Sequence, residues 1–397
     1  MHEAGEETVE ELSSDGVPTG LEVDRTALQF GEIKAPFNPA DIDVTSQVRT
    51  VDLLLARLRE GELLLSPEFQ RRANLWNPAR KSGLIESLLL RIPIPSMYMS
   101  EDASGNYTVV DGLQRICAIA QFVDVDSLNK AVEANQALDP LELVELQSIG
   151  HQFNGATFKT LHRSLQRRIL ETEITLHVIR ASTPQAVKFN IFSRINRGGL
   201  PLSAQEIRNA IYPGPWKRVA KQLASCQEFL KATEFRIKGE RMEDVELVLR
   251  YLAGFMAGKD HLRPDDENLD KFLNDFAENS ESLYSPEDWS EAIDGFKKAM
   301  RFAPKIFGAH AFRKYYVAGE SRKPINRGLF EAQSIVLARL PEDRLYELQY
   351  KVPLILQKFA DLMILDNSFS SPLLYATGRG SSFNERISKL TTLLESV

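Results

Sequence analysis

The stretch Tyr107-Thr108-Val109-Val110-Asp111-Gly112-Leu113-Gln114-Arg115 contains the point at which the residue pattern changes from that of a strand to that of a helix. Its first half is rich in β-branched residues and follows the turn signal Ser104-Gly105-Asn106, so it is predicted to pair back on the preceding segment. From Ile116 onward, apolar residues recur at helical spacing. The sequence therefore predicts a strand that ends at Asp111, a turn at Gly112 and a helix that begins directly after it.

Strands and helices are predicted on both sides of this junction. The segment 92–99 is predicted to be an extended edge strand, because its two prolines are incompatible with a helix or a central strand. Residues 174–179 predict another strand, and apolar stripes over 51–58 and 78–90 predict helices. From Trp216 onward the pattern is helical with almost no strand signal. The predicted fold class is α+β, with a small mixed-sheet domain followed by an all-helical domain.

Three parts of the chain differ in composition and pattern. Residues 1–45 are acidic and contain scattered Gly and Pro, so we expect a disordered arm. Residues 46–212 form the expected mixed-sheet domain. Its last helix is predicted to begin at the capping box Ser203-Ala204-Gln205-Glu206 and to stop at Pro213-Gly214-Pro215. Residues 213–397 are the expected helical domain.

The overall charge of −7 comes from the start of the chain. The first 24 residues contain eight acidic side chains and no Lys or Arg, which leaves a net charge of about +1 for the remaining residues. The chain is 43% hydrophobic and 26% charged, as ordinary globular proteins are. This composition excludes a fully disordered chain, a collagen-like chain and a small disulfide scaffold.

Cysteine use and hydropathy predict a cytoplasmic protein. Cys117 and Cys226 have neither metal-ligand nor disulfide-framework spacing, which favours a reducing compartment. The acidic N-terminus is the reverse of a signal peptide. The longest apolar run, Leu88-Leu89-Leu90, ends at Arg91 and is far shorter than a membrane span.

The predicted strand-to-helix junction is a candidate anion site. Backbone N–H groups at the start of a helix lack partners within the helix, and the helix dipole is positive there. Gly112 would let a phosphate approach the backbone closely, and Arg115 would offer a guanidinium one turn into the helix. Gln114 would contact phosphates, and Asp111 would hold Mg²⁺ or orient water. The alternative is an ordinary turn with an incidental arginine.

Two further polar clusters flank the same predicted sheet. Gln70 and Arg71 lie in a loop before a helix, and Asn196 and Arg197 lie in a glycine-bearing loop after one. Solvated arginines and helix capping would explain each cluster separately. Together with the junction, they favour an anionic ligand, most simply a nucleoside triphosphate.

The ordered set of motifs over residues 48–212 resembles the N-terminal domain of GmrSD-type restriction endonucleases. The resemblance rests on Pro67-x-Phe69-Gln70-Arg71, on Val110-Asp111-Gly112-Leu113-Gln114-Arg115 and on Phe192-x-x-Ile195-Asn196-Arg197-Gly198-Gly199. Trp76, the stretches Leu84-Ile85-Glu86-Ser87 and Ile94-Pro95, and the run from Leu202 to Ala210 fit the same family.

This resemblance implies a ParB/sulfiredoxin-like fold, in which a Gly-x-x-Arg turn binds nucleotide phosphates. It also implies nucleotide binding, with Mg²⁺ and hydrolysis, in bacterial restriction and antiphage defence acting on DNA. The family motif usually reads Asp-Gly-Gln-Gln-Arg, whereas Leu113 here replaces one amide donor. Sulfiredoxin chemistry is not expected, because Cys117 lies after Arg115 and is predicted to be a small core residue.

An HNH nuclease, which many relatives carry, is not predicted in this chain. Such a site needs closely grouped His and Asn residues, and neither His261 nor His310 lies in such a pattern. His151, His162 and His177 are expected to be packed or solvated rather than to bind a metal.

Residues 301–327 are basic, with a local charge of +6 and interleaved aromatics. This pattern predicts either a nucleic-acid contact or a helix pair with an aromatic core and solvated cations. The candidate DNA-binding residues are Lys305, Arg313, Lys314, Arg322 and Lys323.

Two functional hypotheses follow. In the first, the protein binds and hydrolyses NTP in a DNA-directed defence system. In the second, it is a non-catalytic, nucleotide-gated adaptor or DNA-binding module that works with a separate nuclease partner.

Overall fold

A computed structural model describes residues 8–13, 16–23, 42–65, 76–132, 137–195, 203–239, 241–258, 268–317, 319–375 and 379–397. The fold is α+β, as predicted. The chain divides into two compact units. One spans Pro36–Leu202 and is called the sheet unit; the other combines Met1–Ala35 with Ser203–Val397 and is called the helical unit.

The described elements follow the predicted alternation of strands and helices around the junction, but the strand predicted at residues 92–99 begins only at Met97, after both prolines, and it pairs on both sides instead of forming an edge. Two strands come first, β1 (Glu10–Leu12) and β2 (Pro18–Glu22). The sheet unit then contains β3 (Val44–Thr50), α1 (Val51–Arg59), β4 (Leu63–Leu64), α2 (Pro78–Leu89), β5 (Met97–Glu101), β6 (Tyr107–Asp111), α3 (Leu113–Val123), α4 (Val125–Val132), α5 (Gly150–Phe153), α6 (Arg163–Leu170), β7 (Glu173–Ile179) and α7 (Gln185–Ile195).

The five strands of the sheet unit form one mixed sheet in the order β3-β7-β5-β6-β4. β3 pairs antiparallel with β7 and β5 antiparallel with β6, whereas the β5–β7 and β4–β6 pairs are parallel. One face of this sheet is the core face. Its buried side chains join apolar residues of α1, α2 and α3 in one cluster, which includes Met97, Met99, Val109, Leu176, Leu54, Ile85, Leu88, Ile116 and Ile119.

The opposite face of the sheet is polar and in part exposed, and it is called the open face. Successive side chains of a strand point to opposite faces, so Tyr98 and His177 alternate with the buried residues of β5 and β7. Both are half-buried, and Ser46 of β3 is exposed. The open face thus lies beside the end of β6, where the predicted anion site begins.

Glu86 of α2 anchors a loop of the sheet unit. Its carboxylate accepts hydrogen bonds from the backbone N–H groups of Gln147, Ser148 and Ile149 at 3.1, 2.7 and 3.0 Å. Burial acts to raise the pKa of Glu86, but the three N–H donors outweigh it and hold the pKa below its usual 4.5. The ionised form therefore stabilises the folded unit.

We expect Glu86→Gln to lower the free energy of unfolding by about 2 kcal/mol at pH 7, the scale of hydrogen bonds to a charged group. A group whose pKa is lowered by folding contributes stability above its unfolded pKa and loses it as the pH falls through the folded value. The difference between wild type and variant in urea unfolding should therefore shrink below pH 4.5. Glu60→Gln, at an exposed position, is the control, and equal effects of both variants would contradict the anchoring role.

The helical unit contains the remaining helices. They are α8 (Ala204–Ile211), α9 (Pro215–Ala224), α10 (Gln227–Ala232), α11 (Glu243–Met256), α12 (Leu269–Leu283), α13 (Pro286–Phe307), α14 (Arg327–Arg339), α15 (Glu342–Leu348), α16 (Val352–Leu365), α17 (Asn367–Ser370), α18 (Pro372–Tyr375) and α19 (Gly380–Glu395). The predicted capping box is present, since Ser203 and Glu206 exchange hydrogen bonds at the start of α8. None of the helices in the described part of the chain is long and apolar enough to cross a bilayer.

The boundary between the units differs from the predicted one. It falls between Leu202 and Ser203, so α8 belongs to the helical unit rather than to the mixed-sheet domain. The guanidinium of Arg208 in α8 is 1% exposed and binds Asp270 and Asn274 of α12, each at 2.8 Å. These long-range polar contacts link α8 to the helical unit. The capping box and the proline stop, which predicted the helix, do not show which unit it packs against.

The expectation of an arm without regular structure is wrong for part of residues 1–45. β1 and β2 pair antiparallel, and β3 begins at Val44. Leu21 is fully buried and bridges to Ile325, and the buried Glu22 carboxylate binds Lys314 Nζ at 2.5 Å and Asn326 Nδ2 at 2.9 Å. The acidic composition had indicated a solvated segment, whereas a carboxylate of β2 is paired inside the helical unit.

Removing the Glu22 carboxylate should destabilise the helical unit, because it leaves Lys314 buried without its anion. Breaking one side of a buried ion pair costs about 3–5 kcal/mol, so Glu22→Ala should lower the urea midpoint clearly. Glu281→Ala, at an exposed position of α12, should change the free energy of unfolding by less than about 0.5 kcal/mol. An unchanged midpoint for Glu22→Ala would show that β2 contributes nothing to this unit.

Candidate active site

The junction between β6 and α3 has the predicted geometry. β6 ends at Asp111, Gly112 is the N-cap residue and α3 begins at Leu113. Gly112 has φ +100°, in the left-handed region that favours glycine. A Cβ on Gly112 would also lie 2.7 Å from Cγ of Met97, closer than two carbon atoms approach. As the N-cap residue of α3, Gly112 has no side chain that could accept a hydrogen bond from the first turn of the helix.

Arg115 is held across this junction. Its guanidinium donates to Asp111 Oδ2 at 2.8 Å, to the backbone carbonyl of Ser96 at 3.2 Å and to that of Pro95. The Arg115 side chain is 12% exposed, whereas that of Asp111 is 42% exposed. The guanidinium is thus oriented and partly neutralised, and it ties the first turn of α3 to the residues just before β5.

The structure brings four of the predicted site residues together. Asp111, Gly112, Gln114 and Arg115 occupy one turn, with Gln114 half-buried on α3. The other predicted pocket residues, Gln70, Arg71, Asn196 and Arg197, lie outside the described residues. Their placement therefore stays a prediction.

Three residues of the open face were missed as site residues by the sequence analysis. His177 of β7 lies between Ser46 of β3 and Tyr98 of β5 in the strand register. Ser46 Oγ is 2.9 Å from Nδ1 of His177, and the rings of His177 and Tyr98 have centroids 4.7 Å apart. The alternation of buried and outward residues along β7 is the signal that would have placed His177 on this face.

Cys117 is a small core residue, as predicted. It is 1% exposed in α3, and burial raises the pKa of its thiol to about 12. Lys81 of α2 lies near enough to oppose this shift, but burial lowers the pKa of Lys81 as well. A thiol with so high a pKa carries almost no thiolate at neutral pH, so it is a poor nucleophile.

The nucleic-acid contact, one of the two alternatives for residues 301–327, loses two of its five candidate residues. Arg313 and Lys314 are 2% and 1% exposed, so they cannot offer their charge to a phosphate. Arg322 pairs with Glu234, Lys323 pairs with Glu320 over the ring of Tyr316, and Lys305 lies 5.0 Å from the ring of Phe302. The charge of a segment does not show which of its cations are buried with partners. The burial of Arg313 and Lys314 therefore corrects the prediction that these two residues contact DNA.

Within the described part of the chain, no group of three or more His, Cys, Asp or Glu side chains is arranged to hold a metal ion.

Comparison with known proteins identifies the domain that carries this junction. Residues 52–213 match the family model described as the N-terminal domain of the GmrSD restriction endonuclease. The chain thus carries a domain of the GmrSD N-terminal family, and the resemblance seen in the motifs is confirmed. No curated protein and no solved structure matches the chain.

Gly112→Ala should destabilise the sheet unit for two reasons, the left-handed backbone and the contact with Met97. The backbone alone costs a residue with a Cβ about 1–2 kcal/mol. Gly105→Ala is the matched control, because Gly105 also has positive φ (+84°) but has nothing within 4 Å of its added Cβ. Thermal and urea unfolding should therefore show a larger loss for Gly112→Ala, and equal losses would rule out a packing role for the Met97 contact.

Proposed function

We propose that this protein binds a nucleoside triphosphate at the β6–α3 junction and hydrolyses it as part of a restriction-type, antiphage defence system that acts on DNA. The proposal is supported by the GmrSD-type domain over residues 52–213 together with the junction inside it. It includes a ParB/sulfiredoxin-like arrangement of the sheet unit, for which the mixed sheet and the Gly-x-x-Arg turn are the supporting features.

The single observation that carries the proposal is the turn at which β6 ends and α3 begins directly after Gly112, a residue without a side chain at the helix N-cap. Backbone N–H groups and the positive end of a helix dipole favour phosphate oxygens. Gly112 adds no side-chain atoms of its own at that point, and Arg115 adds a guanidinium fixed on the same turn. These groups would bind the negatively charged β- and γ-phosphates more favourably than they would bind an uncharged ligand.

Asp111 is the residue proposed to act on the bound nucleotide. Its half-exposed carboxylate uses Oδ2 for Arg115, and Mg²⁺ on phosphates is commonly held by only one or two protein carboxylates. The residues present therefore fit such an ion, which would neutralise phosphate charge when bound. Gln114 would orient phosphate oxygens, while Gln70, Arg71, Asn196 and Arg197 are proposed to complete the pocket.

A second candidate is a nucleotide-gated adaptor that binds without turnover and works with a separate nuclease partner. The observation that favours it is the Asp111–Arg115 ion pair, because a carboxylate oxygen that accepts from Arg115 is already engaged and is less accessible to a metal ion or water. Leu113 in place of an amide donor also favours binding over hydrolysis. Co-purification of a partner together with nucleotide binding and no phosphate release would select this second function.

Arg115→Ala should weaken nucleotide binding about ten- to hundredfold, since a hydrogen bond to a charged group contributes about 1.5–3 kcal/mol. Binding and phosphate release would be measured with the four NTPs and Mg²⁺, for wild type and for variants whose thermal midpoints are compared first. Arg163→Ala, at an exposed position of α6, is the matched control and should bind as wild type does.

Asp111→Asn separates the two candidate functions. Loss of phosphate release with retained binding supports hydrolysis through Asp111, whereas binding without release by wild type itself supports the adaptor. Absence of both binding and release in a folded wild-type sample would overturn the proposal.

A further inference from the structure

Three side chains form a row across the open face of the sheet unit. The strand register aligns Ser46 with His177 and His177 with Tyr98. Residues aligned across neighbouring strands point to the same face and lie about 4.5–5.5 Å apart. Asp111, the last residue of β6, pairs with Tyr98 at a point where the β5–β6 register shifts. The row therefore runs from the edge strand β3 to Tyr98 on β5, beside the end of β6.

The aromatic pair in this row is held in place from one side. Ser46 Oγ and His177 Nδ1 are 2.9 Å apart, and the His177 ring lies against the Tyr98 ring with an angle of 33° between the planes. The core is on the other face, where Met97, Met99 and Val178 are fully buried. Tyr98 and His177 are half-buried, so they are not core residues, yet they have neighbours that restrict their rotation.

The anchoring contacts of Arg115 place the anion site next to Tyr98. The guanidinium binds the carbonyl of Ser96, two residues before Tyr98, and it also binds Asp111, which pairs with Tyr98 where the β5–β6 register shifts. A phosphate at the start of α3 would thus have the Tyr98 ring as its neighbour along the open face. An ordinary nucleotide has a flat aromatic base at a short distance from its phosphates.

We propose that Tyr98, backed by His177, is a stacking surface for the base of the nucleotide whose phosphates bind at the β6–α3 junction. This inference rests on the proposed nucleotide binding and adds the part of the ligand that contacts the open face. Aromatic side chains on a sheet stack bases in other single-strand and nucleotide binders, and stacking accepts any base because every base has a flat face. The subsite therefore takes nucleoside triphosphates as a class, with purines stacking on the larger area.

Inorganic tripolyphosphate has the phosphates of a nucleotide but no base, so comparing its affinity with that of ATP or GTP measures the contribution of the base. Full-length wild type should bind ATP and GTP about 5- to 150-fold more tightly than tripolyphosphate, the range that corresponds to one stacked base. Tyr98→Leu should remove most of this difference and leave tripolyphosphate binding unchanged, whereas Tyr98→Phe should keep it. Tyr350→Leu, at a position 83% exposed in the helical unit, is the matched control and should behave as wild type.

The outcomes distinguish this inference from the function on which it rests. If wild type binds tripolyphosphate and ATP equally and Tyr98→Leu changes neither, the stacking surface is overturned while the anion site stands. If Tyr98→Leu weakens tripolyphosphate and ATP by the same factor, Tyr98 acts on the fold or on the phosphates, and the inference is overturned. If folded wild type binds neither compound, both the proposed function and the stacking surface are overturned.

Discussion

The geometry of the sheet unit depends on a contact that only one residue type permits. Gly112 lies in the left-handed region directly over the side chain of Met97, which is fully buried in the core. The backbone can therefore turn from β6 into α3 within one residue, and the start of the helix stays next to β5. A side chain at this position would push the helix away from the sheet and separate the backbone N–H groups from the residues of the open face.

Arg115 adds an ion pair to this tight turn. Its guanidinium joins Asp111 at the end of β6 to the carbonyls that precede β5. The same bonds that orient the guanidinium also reduce its net field, because Asp111 lies 2.8 Å away. Any anion that binds here must interact with an ion pair rather than with an isolated arginine.

The helical unit shows how a buried charge is satisfied from a distant part of the chain. Lys314 and its partner Glu22 are separated by 292 positions, and Arg327 binds both the backbone carbonyl of Glu22 and the carboxylate of Glu11. A buried cation needs such partners, because desolvation without a nearby anion is strongly unfavourable. Glu11 and Glu22 from the acidic start of the chain are therefore joined with Lys314 and Arg327 from the basic segment in one network.

The amino-acid sequence by itself determined the α+β class, the strand that ends at Asp111, the turn at Gly112 and the capping box at Ser203. These features follow from periodicity, glycine and capping chemistry, which act over a few residues. Only the tertiary structure decided which partners Arg115 takes, that Glu22 and Lys314 are buried together, and that His177 and Tyr98 share one face. Strand register and buried ion pairs join residues that are far apart in the chain. The free energy of these contacts depends on packing and desolvation, which a local sequence pattern does not predict.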